Sequence, residues 1–210
     1  RRCARKAPAH CDWVEVRLDL TGLCGGRWLE LCAAVQARGR PVLLTIRDAR
    51  EGGRWRGPEA ERLALYLAAL RVVAAVDMEI GAHALMTLST AARSCGVQVV
   101  GSFHDFKATP ELSKLRAVET RGRHMGADVV KIAARVRNAA DLARLFALPA
   151  HAKGPICVLG MGPRGAVSRV ALPGAGSCLA YGTLGAATAP GQPTCRQLAA
   201  DLARWGIRKP

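Results

Sequence analysis

Short apolar runs rich in β-formers alternate with longer stretches of helical period along almost the whole chain, and that alternation is the strongest constraint on its fold. The runs are "WVEVRLDL" (13–20), "PVLLTIR" (41–47), the end of "VVAAVDMEI" (76–80), "VQVVGSF" (97–103), "DVVKIAA" (128–134), "PICVLG" (155–160) and "CLAYG" (178–182). Helical period marks 58–73, 109–125, 138–148 and 194–205. The first of these opens on Pro58 with acids behind it. The second has Thr109 as its expected N-cap, then Pro110 and Glu111. "PGAGS" and "GTLGAATAPGQ" are glycine-rich loops. Strand followed by helix, repeated, predicts an α/β fold with a parallel sheet. A doubly wound sheet and a (β/α)8 barrel both fit. No G-x-G-x-x-G follows a strand, which weakens the dinucleotide-binding version.

The 210 residues suffice for one domain with a sizeable core, and half of them are hydrophobic. No apolar run reaches membrane-spanning length. The eight cysteines contain no C-x-x-C pair and sit in apolar segments, as reduced cysteines of a cytoplasmic protein do. The formal charge of +15 comes from basic residues spread along the chain, with only 3 Phe and 2 Tyr to stack on bases. It reads as a solvated surface that favours an anionic substrate, rather than as a nucleic-acid interface.

Ionisable and polar side chains gather toward the ends of the predicted strands. Glu15 and Arg17 share one face of the first by period two. Arg47 ends the second, with Glu51 shortly after, and Asp77 and Glu79 share a face of the third. His104 and Asp105 follow the fourth, Lys131 is on the fifth and Met161 follows the sixth. A (β/α)8 barrel builds its active site at these ends. Lys131 is the sharpest signal. An ammonium on an apolar strand is either a lysine reaching out to water or a buried amine suited to imine formation. A protonated imine acidifies the neighbouring C–H, and a histidine such as His104 can move that proton. Arg17, Arg47 and Arg169 could hold a carboxylate; Glu15 and Glu51 could grip hydroxyls and fix the arginines. The blander alternatives are a structural Glu15–Arg17 pair and a His104 bonded to its own loop. The reaction class is proton abstraction beside a carbonyl, then elimination or C–C cleavage.

At these residues the chain resembles the type I 3-dehydroquinate dehydratases. The matching pieces are "VEVRLD", "TIRDAREGG", "VDMEI", "GSFHDFKATP", "ADVVKIA", "MGPRGAVSR" and "TAPGQ". The resemblance implies one (β/α)8 barrel domain over 1–210. It also implies a shikimate-pathway lyase that converts 3-dehydroquinate to 3-dehydroshikimate by syn elimination through a Schiff base, with no metal or cofactor. By position, Lys131 matches the imine-forming lysine and His104 the general acid/base. Glu15, Arg17, Arg47, Arg169, Thr188 and Gln192 match substrate-binding positions. Glu51, Asp77 and Glu79 fall in the supporting polar network, and Met161 packs on the bound ring. The "APGQ" loop would close over substrate, and a homodimer is implied. Thr188 replaces the family's usual serine. Only "RRCARKAPAHCD" precedes the E-x-R strand, so the eighth strand expected of a barrel, and most of a helix, correspond to the family's first βα unit. A shortened copy of the chain, a true start with an open barrel, and one part of a longer polypeptide all fit that gap. Two other functions compete: another Schiff-base lyase of class I aldolase type, and a non-catalytic barrel binding a polyanion.

Overall fold

The computed structural model describes residues 10–23, 26–185 and 192–207. The chain divides into two units, residues 1–102 with 121–128, and 103–120 with 129–210. Among the described residues the strands within each unit pair in parallel.

In the first unit β1 (Val14–Arg17), β2 (Val42–Thr45), β3 (Ala75–Glu79) and β4 (Gln98–Asp105, to Ser102 in this unit) pair in that order. Helices α1 (Leu18–Thr21), α2 (Trp28–Gln36), α3 (Glu59–Ala69) and α4 (Leu85–Ser94) connect them. β2 and β3 are buried along their full length, so the polar groups they carry must be met by partners inside the fold. Register sorts their side chains. Thr45 lies between Arg17 and Asp77, and Glu79 opposite Ser102, so one sheet face collects the polar groups. The alternate residues Val42, Leu44, Val76 and Met78 take the other face and are fully buried. Tyr66 of α3 docks there: its hydroxyl donates to the Asp77 carbonyl at 2.6 Å and accepts from Ile46 N–H at 2.8 Å. Gly101 of β4 is also close-packed, since a Cβ there would come within 2.8 Å of Ala127 Cβ and 3.3 Å of Ile80 Cγ1.

In the second unit β5 (Val129–Arg135) pairs with β6 (Ile156–Met161) from Val130↔Ile156 to Arg135↔Met161. Most of α5 (Leu112–His124), then α6 (Ala139–Phe146), α7 (Ser168–Gly174) and α8 (Cys195–Arg204), belong to this unit. Asn138 caps α6, its side chain accepting from Asp141 N–H at 2.9 Å. Thr194 and Gln197 form a reciprocal capping box at α8.

The four helices expected from periodicity are present, each somewhat shorter than its sequence pattern. Four features differ. The first apolar run stops being a strand at Arg17 and turns into α1, where Thr21 Oγ1 donates to the Arg17 carbonyl at 3.1 Å. Thr109 does not cap α5, which starts at Leu112; its hydroxyl instead donates to the Arg135 carbonyl at 2.9 Å. The seventh run, 178–182, makes no strand. Cys178 N–H donates to the Ile156 carbonyl, but Ser177 Oγ takes the Val158 N–H that a ladder would use, and a single bridge, Thr183↔Thr194, remains. Helices α2, α4 and α7 were not anticipated. Among the described residues no helix is long and apolar enough to cross a membrane.

Gly160 in β6 faces α7 at close range: a Cβ there would lie 2.6 Å from Ser168 Oγ and 3.0 Å from Gly165 Cα. Ser168 Oγ is itself engaged, accepting from Gly160 N–H and donating to the Gly165 carbonyl. Gly160→Ala is therefore expected to lower stability by about 1–3 kcal/mol through overpacking, read as a lower midpoint in denaturant unfolding.

Candidate active site

The polar face of the first unit is organised by Glu79. Its Oε1 accepts from Arg47 at 2.9 Å and from Asp48 N–H at 3.1 Å, and its Oε2 accepts from Arg62 at 2.6 Å. Arg47 also donates to Asp77 Oδ1 and to Ser102 Oγ, each at 2.6 Å, and Ser102 donates to the same Asp77 oxygen. Arg62 reaches Glu59 at 2.8 Å. Arg47, Asp77, Glu79, Ser102 and Arg62 are all buried. Burial opposes charge on the Arg47 guanidinium, but Asp77 and Glu79 outweigh it and raise its pKa further. Arg62 is raised in the same way against its own desolvation, chiefly by Glu79. The Tyr66 phenol is pushed up by burial and then by the two carboxylates.

Arg17 ends β1 and is held by Asp19 through two bonds of 2.9 and 2.8 Å. Asp19 also accepts from Arg54 N–H at 3.1 Å. Burial would raise the Asp19 carboxyl, but these donors, Arg17 above all, hold it below the usual range. Glu15 is half-buried and accepts from Thr45 Oγ1 at 2.8 Å rather than pairing with Arg17. Glu51 is half-buried on the short turn of helix Ala49–Glu51.

Lys131, in the second unit, is only 5% exposed, which overturns the reading of a lysine reaching out to water. Its strand neighbours Val130 and Ile132 are fully buried on the opposite face. Its own face carries Ala133 and, by register, Cys157, Leu159 and Met161, with Leu179 and Tyr181 packed against that cluster. Lys131 Nζ lies over the Tyr181 ring, 4.2 Å from the centroid. His104, half-buried near the end of β4, stacks on Phe106 with centroids 6.2 Å apart. The loop beyond it is tied down by Asp105, whose Oδ1 accepts from Lys107 and Ala108 N–H, both at 2.9 Å.

Arg169 on α7 is 4% exposed. One terminal nitrogen donates to the Tyr181 carbonyl at 3.4 Å, while its buried Nε has no hydrogen-bond partner among the described residues. Desolvation lowers its pKa. A guanidinium held this way suits an incoming carboxylate. Gln192 is half-buried ahead of α8, and Thr188 lies outside the described residues.

The model for the type I 3-dehydroquinase family matches residues 1–206. The chain belongs to that family. It is 34% identical over 197 residues to the 3-dehydroquinate dehydratase of Methanocella arvoryzae, covering 94% of this chain and 89% of that one. The solved 3-dehydroquinate dehydratase of Geobacillus kaustophilus superposes with a TM-score of 0.86 at 27% identity, over 98% of this chain and 84% of its own. That of Aquifex aeolicus gives 0.85 at 28%, over 97% and 93%. The chain is thus an enzyme of the lyase class, and its α/β fold is the one these relatives share.

By family position Asp77 and Glu79 belong to a supporting polar network and Arg47 to substrate binding; in the structure Arg47 is bonded to both carboxylates. Sequence reasoning missed Asp19, Arg62, Ser102 and Tyr181. Asp19 shares the odd-numbered register of Glu15 and Arg17, a signal that was available. Arg62 and Tyr66 lie on a helix whose pattern does not say which strands it meets.

Glu79→Gln leaves two buried guanidiniums short of a charge. It is expected to lower stability by about 3–5 kcal/mol, measured by denaturant unfolding. Asp19 gives a pH test. Its folded pKa is depressed, so its contribution is present above the ordinary carboxylate pKa of about 4 and is lost as pH falls through the folded value. Asp19→Asn should flatten that acid limb in a plot of unfolding midpoint against pH.

Proposed function

We propose that this protein, as a type I 3-dehydroquinate dehydratase of the shikimate pathway, dehydrates 3-dehydroquinate to 3-dehydroshikimate by syn elimination through a Schiff base on Lys131. The observation that carries this reading is the burial of Lys131 among apolar side chains in a chain of this family. An amine there, in its neutral form, attacks the ketone carbon, and the carbonyl oxygen leaves as water. The protonated imine draws electrons from the adjacent C–H bond. The proton goes to a base, and the electron pair forms an enamine. The β-hydroxyl then departs as water, taking a proton from His104 as general acid. Hydrolysis of the conjugated imine returns the amine and the carbonyl oxygen, so the net change is loss of one water.

In this reading Arg169 holds the substrate carboxylate, which its buried and incompletely bonded guanidinium favours. Met161, buried on the Lys131 face, packs on the ring. Glu15, Arg17, Arg47, Thr188 and Gln192 are assigned to substrate binding by family position, and Glu51, Asp77 and Glu79 support them. The (β/α)8 barrel architecture and a homodimer belong to the same proposal.

Incubation with 3-dehydroquinate, borohydride reduction, digestion and mass spectrometry should place the adduct on the Lys131 peptide. Lys131→Ala should abolish turnover and trapping alike. His104→Ala should still be trapped, while dehydration falls by about 10²–10⁴-fold. Normal turnover by Lys131→Ala would sink the mechanism. A folded protein giving no adduct and retaining nucleic acid in a salt-sensitive manner would support the non-catalytic alternative.

A further inference from the structure

Tyr181 lies in the run that was expected to be a strand and is not, and its ring faces the Lys131 amine. We propose that Tyr181 is a positioning residue for Lys131, its ring face holding Nζ in place for attack on the substrate ketone. The inference rests on the Schiff-base reading above.

Three observations support it. The first is the 4.2 Å separation of Nζ from the ring centroid, inside the roughly 6 Å range of a cation–π contact. Lys131 is buried, and such contacts strengthen as water is removed. The second is that the ring is carried on a pinned backbone. The Tyr181 carbonyl accepts from buried Arg169, Thr183 N–H donates to the Pro193 carbonyl at 2.8 Å, and Cys195 N–H donates to the Thr183 carbonyl at 3.0 Å. Gly182 allows this close approach, because a Cβ there would lie 2.7 Å from Cys195 Cα. A segment without ladder pairing is thereby tied to both α7 and the start of α8. The third is the packing of Tyr181 against Ala133, Cys157, Leu159 and Met161, the same sheet face that carries Lys131.

The chemistry suits a ring. Its quadrupole attracts a cation without supplying a base. The protonated imine is again a cation at the same nitrogen, so one ring serves both states. Tyr181 itself makes and breaks no bond. The hydroxyl is not required for this role; the π face is.

The test compares Tyr181→Phe, trifluorophenylalanine placed at position 181, and Tyr181→Leu in the full-length protein. The fluorinated ring keeps the shape while removing negative potential from its face, so it remains informative if the leucine variant fails to fold. The readouts are the rate of borohydride-trapped adduct formation at Lys131 with saturating 3-dehydroquinate, and kcat and KM separately. Tyr181→Phe should stay within about two-fold, and the trifluorinated ring should slow trapping and kcat by about ten-fold with little change in KM. Trapping by the trifluorinated variant as fast as by Tyr181→Phe overturns the role of Tyr181 and leaves the Schiff base standing. Absence of any Lys131 adduct in the unsubstituted protein overturns the Schiff-base reading, and this inference with it.

Discussion

Charge buried on a sheet is tolerable only when opposite charge or hydrogen bonds meet it, and the first unit is arranged around that requirement. Glu79 lies between Arg47 and Arg62, giving one carboxylate oxygen to each. Asp77 balances the second charge, and Ser102 fills the remaining geometry between Arg47 and Asp77. Pairs of this kind gain little net stability over apolar packing, because desolvation consumes most of the attraction. Their effect is specificity. Arg47 can adopt this position only if β2, β3 and β4 keep their register and α3 delivers Arg62 to the same carboxylate. Tyr66, one turn on from Arg62, bonds the strand backbone from the same helix and fixes it further.

In the second unit Lys131 is as buried as Arg47, and its amine lies over an aromatic face. The two cations differ in chemistry. Arginine clamped by two carboxylates is a fixed cation, suited to orienting other groups. A lysine, unlike an arginine, can give up its proton and act as a nucleophile. Arg169 adds a third variation: buried, depressed by desolvation, and bonded weakly to one carbonyl. Its guanidinium keeps unused donor capacity.

Much of this architecture was legible in the residues themselves. Periodicity located six strands and four helices because buried parallel strands are rich in apolar residues and half-exposed helices are amphipathic. It failed where tertiary bonds replaced regular ones. At 178–182 the residue types favour a strand, but Ser177 Oγ and the loop leading to α8 take the bonds that a ladder needs. At Thr109 a good capping sequence is drawn to the Arg135 carbonyl instead. Helices α2 and α4 were missed even though both contain apolar residues that end up buried.

The chain's own residues determined its class of fold, its family and the candidate for the reactive amine. These follow from local chemistry: which side chains alternate, which motifs occur at fixed spacing, and how unusual a lysine is on an apolar strand. Only tertiary structure decided how each charge is met. Arg17 binds Asp19 and not Glu15, Arg62 joins a carboxylate on the strand that follows its helix, and Tyr181 faces Lys131 from fifty residues further along. Such partners are brought together by register and by loops pinned through backbone bonds. A side chain's neighbours across a sheet carry no mark in the sequence beside it.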